Sequence, residues 1–237
     1  MSSFLQLCQY TCRECRVAGG ESALTAVTSQ TGELQRIVSW VASSWTEIQD
    51  RYPDWRWMRA GFTVNTVSGD DQYAGTDCTD IITSAAIDRF GRWLIDNLDD
   101  PPKIYLSSAG VGTEGWLSYS DWDDFKSLYK IGTQNNTYPA HISVDPQNNL
   151  RLGPKPDAVY VVSGDYQRSA QILAANADIP EMPTQFHMLI VYEAMKRYGL
   201  HESAQEILMA GNAGADRLLP QLEFNQLPAI RMAGPLV

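Results

Sequence analysis

Three cysteines near the start of the chain have the spacing of a cofactor site. Cys8-x3-Cys12-x2-Cys15 is followed by Gly19-Gly20-Glu21. Three thiolates can hold three corners of a four-iron cluster and leave the fourth iron open to a ligand. No strand pattern precedes the cysteines to present them on a loop. The segment Phe4 to Val17 reads instead as a short helix, with its stop at Ala18-Gly19-Gly20. On a helix, positions i, i+4 and i+7 share one face. Cys8, Cys12 and Cys15 then read as small hydrophobes on a buried face. An iron–sulfur enzyme remains the competing reading of this trio.

The other reactive side chains form weaker constellations. His141, His187 and His201 have no metal-ligand partner at helical spacing. His187 is expected in the first turn of a helix. Asp70-Asp71, Asp99-Asp100 and Asp123-Asp124 are carboxylate pairs that could hold a divalent cation. A metal-dependent hydrolase is the reading they would support. Each pair sits in a turn or at a helix start, where aspartate serves local hydrogen bonds, so the solvated reading is preferred. Gly110-Val111-Gly112 lacks the Gly-Lys-Ser/Thr that completes a phosphate-binding loop, and no Gly-x-Ser-x-Gly elbow is present. No catalytic set is visible, and the expectation is a protein that is not an enzyme and needs no cofactor or metal.

The elements that would position these residues form three blocks. Leu34, Ile37, Val38, Val41, Trp45 and Ile48 recur at helical spacing, with Thr31 as a candidate cap and Pro53 as the stop. From Phe62 the period changes to two: Phe62, Val64 and Thr66 alternate with Thr63, Asn65 and Val67. Ile81 to Asn97 reads as a mixture of extended chain and short helix. Strands are expected at Lys103 to Leu106, Gly115 to Tyr119, Ala140 to Val144, Leu150 to Leu152 and Ala158 to Tyr166. A short helix, Trp122 to Tyr129, is capped by Asp121. After Pro180 and Pro183 the pattern is helical again, with Thr184 as cap. Phe186 to Met195 is apolar on nearly all sides, so that helix is expected to be buried. Gly199 stops it. A second helix carries Ile207, Leu208, Ala215, Leu218 and Leu222, with Gly211, Gly214 and Pro220 expected to weaken or kink it. Beyond Gln226 the chain is apolar with little charge.

The fold class is therefore α+β: a helical bundle from the N- and C-terminal segments, an inserted antiparallel β domain and an extended C-terminal arm. The expected domains are 1–60 and 169–225 for the helical core, 61–168 for the β insert and 226–237 for the arm. The net charge of −10 and the lack of a Lys/Arg cluster argue against tight binding to nucleic acid or an anionic membrane. No run approaches the roughly 18 apolar residues of a membrane span. Met1 to Tyr10 lacks a signal-peptide layout, so a reducing cytoplasm is expected. Seven Trp and eleven Tyr exceed what one core needs and hint at interfaces.

Several stretches together resemble the head-to-tail adaptor family of tailed bacteriophages. The first is Thr28-x-x-Thr31-Gly32-Glu33-Leu34-x-Arg36-Ile37-Val38-x-Trp40-Val41, with Trp45-x2-Ile48-Gln49 and Trp55-Arg56-Trp57-Met58-Arg59 behind it. A late block follows: Pro154-x-Pro156-Asp157, Tyr160, Gly164-x-Tyr166, Asp178-x-Pro180-x-x-Pro183, Phe186-His187-x-Leu189-Ile190, and finally Leu227-Pro228. The resemblance implies a structural protein of the virion neck, assembled in the host cytoplasm. It implies a dodecameric ring of identical subunits docked beneath the portal protein, with a tail or nozzle protein on the other side. Genomic DNA would pass through transiently, without sequence-specific contact. The C-terminal arm, through Leu227, Pro228, Ile230, Arg231, Met232, Pro235, Leu236 and Val237, is expected to reach the portal. Trp40, Trp55 and Trp57 are candidates for contacts between ring subunits, or else core residues. A different virion part, such as a tail completion or tail terminator protein, is a further reading.

Overall fold

The structure, a computed structural model, describes residues 1–17, 19–96 and 100–228. In chain order the helices are α1 (Phe4–Glu14), α2 (Gly20–Ala23), α3 (Gly32–Asp50), α4 (Trp122–Tyr129), α5 (Met188–His201) and α6 (Gln205–Gln226). The strands are β1 (Arg59–Asn65), β2 (Gln72–Tyr73), β3 (Thr79–Asp80), β4 (Phe90–Leu94), β5 (Lys103–Leu106), β6 (Gly115–Trp116), β7 (Ser118–Tyr119), β8 (His141–Val144), β9 (Leu150–Gly153) and β10 (Tyr160–Arg168). The chain is α+β and divides into two compact units. One joins Met1–Met58 to Ala170–Val237, and the other is Arg59–Ser169.

The first unit is helical, and its core follows the apolar stripes. Phe4, Leu7, Cys8 and Cys12 of α1 meet Ile37, Val41, Trp45 and Ile48 of α3 and Leu189, Ile190, Ala194 and Met195 of α5. Each such side chain contributes about 1.5–3 kcal/mol by leaving water. Ser3 and Gln6 form a capping box at the start of α1: the Ser3 hydroxyl accepts from the Gln6 amide, and the Gln6 side chain accepts from the Ser3 amide. The helix ends before the expected Gly-Gly stop. Arg16 turns left-handed at φ 56°, the Val17 amide reaches the Cys12 carbonyl and the Arg16 amide the Arg13 carbonyl. That closing pattern satisfies the last carbonyls without a glycine. Thr31 makes no side-chain capping bond, and Thr184 opens a 3-10 turn (Thr184–Phe186) ahead of α5, whose cap position is taken by His187.

Three residues read as breakers serve contact instead. Gly199 lies inside α5, and a Cβ there would stand 2.7 Å from the backbone nitrogen of Leu208. Gly211 and Gly214 lie within the unbroken α6. A Cβ at Gly211 would stand 3.0 Å from the Tyr192 carbonyl oxygen, and one at Gly214 would stand 2.5 Å from the Tyr192 ring. The three missing side chains let α5 and α6 pack closely. The helix also continues through Pro220 to Gln226.

The second unit holds two sheets. The larger has the order β3-β1-β10-β5-β6, with β4 also paired to β10. Its centre is β10, whose first half pairs with β5 and whose second half pairs with β4. All pairs in this sheet are antiparallel, with Phe62 opposite Gly164 in β1–β10. The smaller sheet runs β2-β9-β8-β7, and its β7–β8 pair is parallel. The period-two pattern of β1 puts Ala60, Phe62 and Val64 inside, and Thr66 continues it. Ile104, Val162 and Tyr166 from one sheet and Ile142, Leu150 and Leu152 from the other share their core.

Two expectations for this unit are corrected. Ile81 to Asp96 contains no helix; β4 is preceded by turns and bends. Gly115 to Tyr119 is not one strand. It splits at Leu117, which is fully buried, and sends β6 to the larger sheet and β7 to the smaller. A chain that changes sheets cannot keep a single pairing register.

Candidate functional site

The cysteine trio is core. Cys8, Cys12 and Cys15 are buried and form no disulfide, and they pack with Phe4, Leu7 and Leu24. Burial pushes the Cys15 thiol up to about 12, with the neighbouring Cys12 adding to the shift, and raises Cys8 further still. A cluster ligand must be a thiolate reachable by iron. Cys8 and Cys15 are thus held protonated in an apolar environment, which is the opposite requirement.

His187 is also structural, immediately before α5. Its Nδ1 accepts from the Ser2 amide at 3.3 Å, and its Nε2–H donates to the Met182 carbonyl at 3.1 Å. The bond from Ser2 requires an unprotonated Nδ1 and so the neutral ring, and burial lowers its pKa below 6.5. The ring ties the N-terminal segment to the loop before α5. His141 Nδ1 and the Tyr129 hydroxyl share a 2.6 Å hydrogen bond, and His201 lies on the surface beside Arg36 and Glu202.

Of the paired aspartates described, Asp70, Asp100, Asp123 and Asp124 are exposed, as the solvated reading expects, and Asp71 departs from it. Asp71 is buried, not solvated, and is gripped by Lys130, with Arg151 at 3.7 Å and Lys155 at 3.9 Å. Arg151 also binds Asp145, at the start of the β8–β9 turn. The Asp145 carboxylate is wholly buried and accepts from the amides of Gln147 and Asn149, both at 2.9 Å, and from Arg151 Nε at 3.0 Å. Two carboxylates thus face three cations. Such a set has no surplus negative charge with which to hold a metal ion. It locks the β8–β9 turn, β9 and the end of α4 together. The signal for it was present in Asp145 followed four residues later by Asn149 and then by Arg151. Asp70 accepts from the Gln72 amide in a turn, Asp123 pairs with Lys126, and Asp100 pairs with Arg59; Asp99 lies outside the described residues.

The tryptophans divide. Trp55 is fully buried, donates to the Ile48 carbonyl at 3.0 Å and stacks on Trp57 at 4.4 Å. It offers no surface to a neighbouring copy, so its candidacy as a subunit contact is corrected to a core role. Trp57 is largely enclosed in the same stack, which Trp45 extends at 6.4 Å. Trp40 is half-buried, edge-on to Tyr198 at 6.1 Å.

At the end of α6 the surface becomes apolar. Gln185, Phe186, Pro220, Gln221, Phe224 and Asn225 line a groove of about 400 Å³. Phe224 is 94% exposed. Leu227 follows, with its amide on the Glu223 carbonyl and its side chain partly packed on the helical core, and Pro228 is exposed. Leu227 thus still belongs to the packing of the helical unit. Ile230, Arg231, Met232, Pro235, Leu236 and Val237 lie outside the described residues.

A helical unit formed by both chain ends, a β insert, and side-chain clusters that all serve packing fit the resemblance drawn from the sequence. A family description, SU10 adaptor protein, matches residues 4–235. The chain belongs to the SU10 adaptor protein family. No individually curated protein matches it. Membership makes this a bacteriophage adaptor protein, a structural component. Among its described residues no helix is long and apolar enough to cross a membrane.

Proposed function

We propose that this adaptor assembles as a ring in the virion neck, docks to the portal protein through its C-terminal segment, and carries a tail or nozzle protein on its other side. The observation that supports this best is the extent of the family match. It runs to residue 235, so the apolar segment after α6 belongs to the shared pattern. Closure into a ring needs two different lateral faces, because head-to-tail contacts close by rotation. Trp40 and Trp57 are candidates for those faces, and twelve subunits are the stoichiometry the resemblance implies.

The charge suits a conduit. A chain of net −10 with no Lys/Arg cluster gains nothing from counterion release, so DNA passes without adhering. The role asks for no catalysis and no cofactor. Assembly would take place in the host cytoplasm.

Removing residues 229–237 is expected to abolish capture by the purified portal ring while leaving the melting temperature of the adaptor unchanged. Normal capture by the shortened chain would refute portal docking through this segment.

A further inference from the structure

The groove at the end of α6 joins the helical core to an exposed aromatic. Phe186 is buried and forms its floor, whereas Phe224 projects into water beside Pro220. All six lining residues are uncharged in a chain of net −10. The one carboxylate close by in sequence, Glu223, accepts from the Tyr52 hydroxyl at 2.9 Å. An exposed aromatic beside an apolar hollow is the usual form of an interface anchor.

Covalent continuity points to the occupant. Phe224 lies three residues before Leu227, on the last turn of α6. A residue advances the chain by at most about 3.6 Å. A partner that holds Ile230 therefore has its surface within about 20 Å of Phe224. We propose that the groove is a second anchor for the same partner, the portal, which seats an apolar side chain between Phe186, Pro220 and Phe224. This inference rests on the reading that the C-terminal segment docks to the portal. The segment supplies reach, and the groove fixes the angle at which the helical unit meets its partner. A preformed pocket loses little conformational entropy on binding, unlike an extended arm.

The test uses the full chain, Phe224→Ser, Gln221→Glu and the chain ending at Pro228. Each is measured for binding to the purified portal ring and for self-association by sedimentation. Phe224 and Gln221 are exposed, so neither substitution should alter the melting temperature. The expected result is at least a tenfold weaker affinity for the portal ring in both, with self-association unchanged. If both bind like the parent while the shortened chain does not bind, the arm docks and the groove inference is wrong. If the substitutions impair self-association and spare portal binding, a second copy covers the groove and the inference is again wrong. If Phe224→Ser loses binding and the shortened chain keeps it, the groove anchors the partner and it is the reading of the arm that falls.

Discussion

Trp55→Ala is expected to lower the stability of the helical unit by about 3–5 kcal/mol, the range for deleting a large buried aromatic. Trp55 is fully enclosed, and its ring is the centre of a cluster. Trp57 stacks on it at 4.4 Å, and Tyr52 meets it edge-on at 5.3 Å. Tyr52 in turn donates to Glu223 of α6, so the cluster links the end of α3 to the last turns of α6. Removing the ring leaves a cavity and also frees Tyr52 to move. A domain's whole stability is about 5–15 kcal/mol, so the loss is a large fraction of it. Urea unfolding followed by far-ultraviolet circular dichroism measures the effect. Trp55→Phe keeps an aromatic ring and is expected to cost less, with the loss of the bond to the Ile48 carbonyl included. A change under about 1 kcal/mol in Trp55→Ala would show that the stack is not a core element.

Asp145→Ala is expected to cost the β unit a similar amount, about 3–5 kcal/mol, because it takes the nearer of two carboxylates from the Arg151 guanidinium and leaves two buried amides without an acceptor. Burial alone would push the Asp145 carboxyl up. The hydrogen bonds from Asn149, Arg151 and Gln147 outweigh it and hold the group below its ordinary value of 3.8. The folded state therefore prefers the carboxylate more than the unfolded state does. Its contribution is complete above about 3.8 and is lost as the pH falls through the lower folded value. The parent protein should lose stability across that acid window, and Asp145→Ala should lose less there, having already lost the interaction at neutral pH. Asp145→Asn keeps an acceptor for the amides but not the charge for Arg151, and should fall between. Urea midpoints at pH 7 and below pH 4 check all three. Equal acid slopes in parent and alanine variant would remove Asp145 from the account.

The periodic signals in the sequence were the dependable ones. The two-residue alternation of Phe62, Val64 and Thr66 and the helical stripe of Ile37, Val41, Trp45 and Ile48 both point inward. In each case one element meets one continuous core, so local pattern and tertiary need agree. Misreadings arose where a residue's role is set by a distant partner. Gly211 and Gly214 are poor helix formers in isolation, but Tyr192 lies where their side chains would be. The close helix contact outweighs their intrinsic cost of about 1 kcal/mol each. Asp71 looked like a turn residue because its three cations lie 59 to 84 positions further along the chain. Leu117 looked like the middle of a strand because nothing local says that the chain changes sheets there.

The candidate docking site was legible only in part. An apolar, nearly uncharged stretch after Gln226 is visible in the sequence. Phe224 stands outside the apolar stripe of Ile207, Leu208, Ala215, Leu218 and Leu222, and its place in the groove depends on where Phe186 and Pro220 come together. The tryptophans show the same limit from the other side. Their abundance suggested interfaces, yet Trp45 and Trp55 fill the interior, and the aromatic content of the helical unit is largely a matter of its own packing.

The central claim is that this adaptor occupies the neck, between portal and tail. Cryo-electron microscopy of the particle's neck tests it most directly. The account predicts a ring of this chain beneath the portal, with residues 227–237 of each subunit in contact with portal density and Phe224 at the same interface. Finding the chain elsewhere in the particle, or in the neck with its C-terminal segment turned away from the portal, would contradict it.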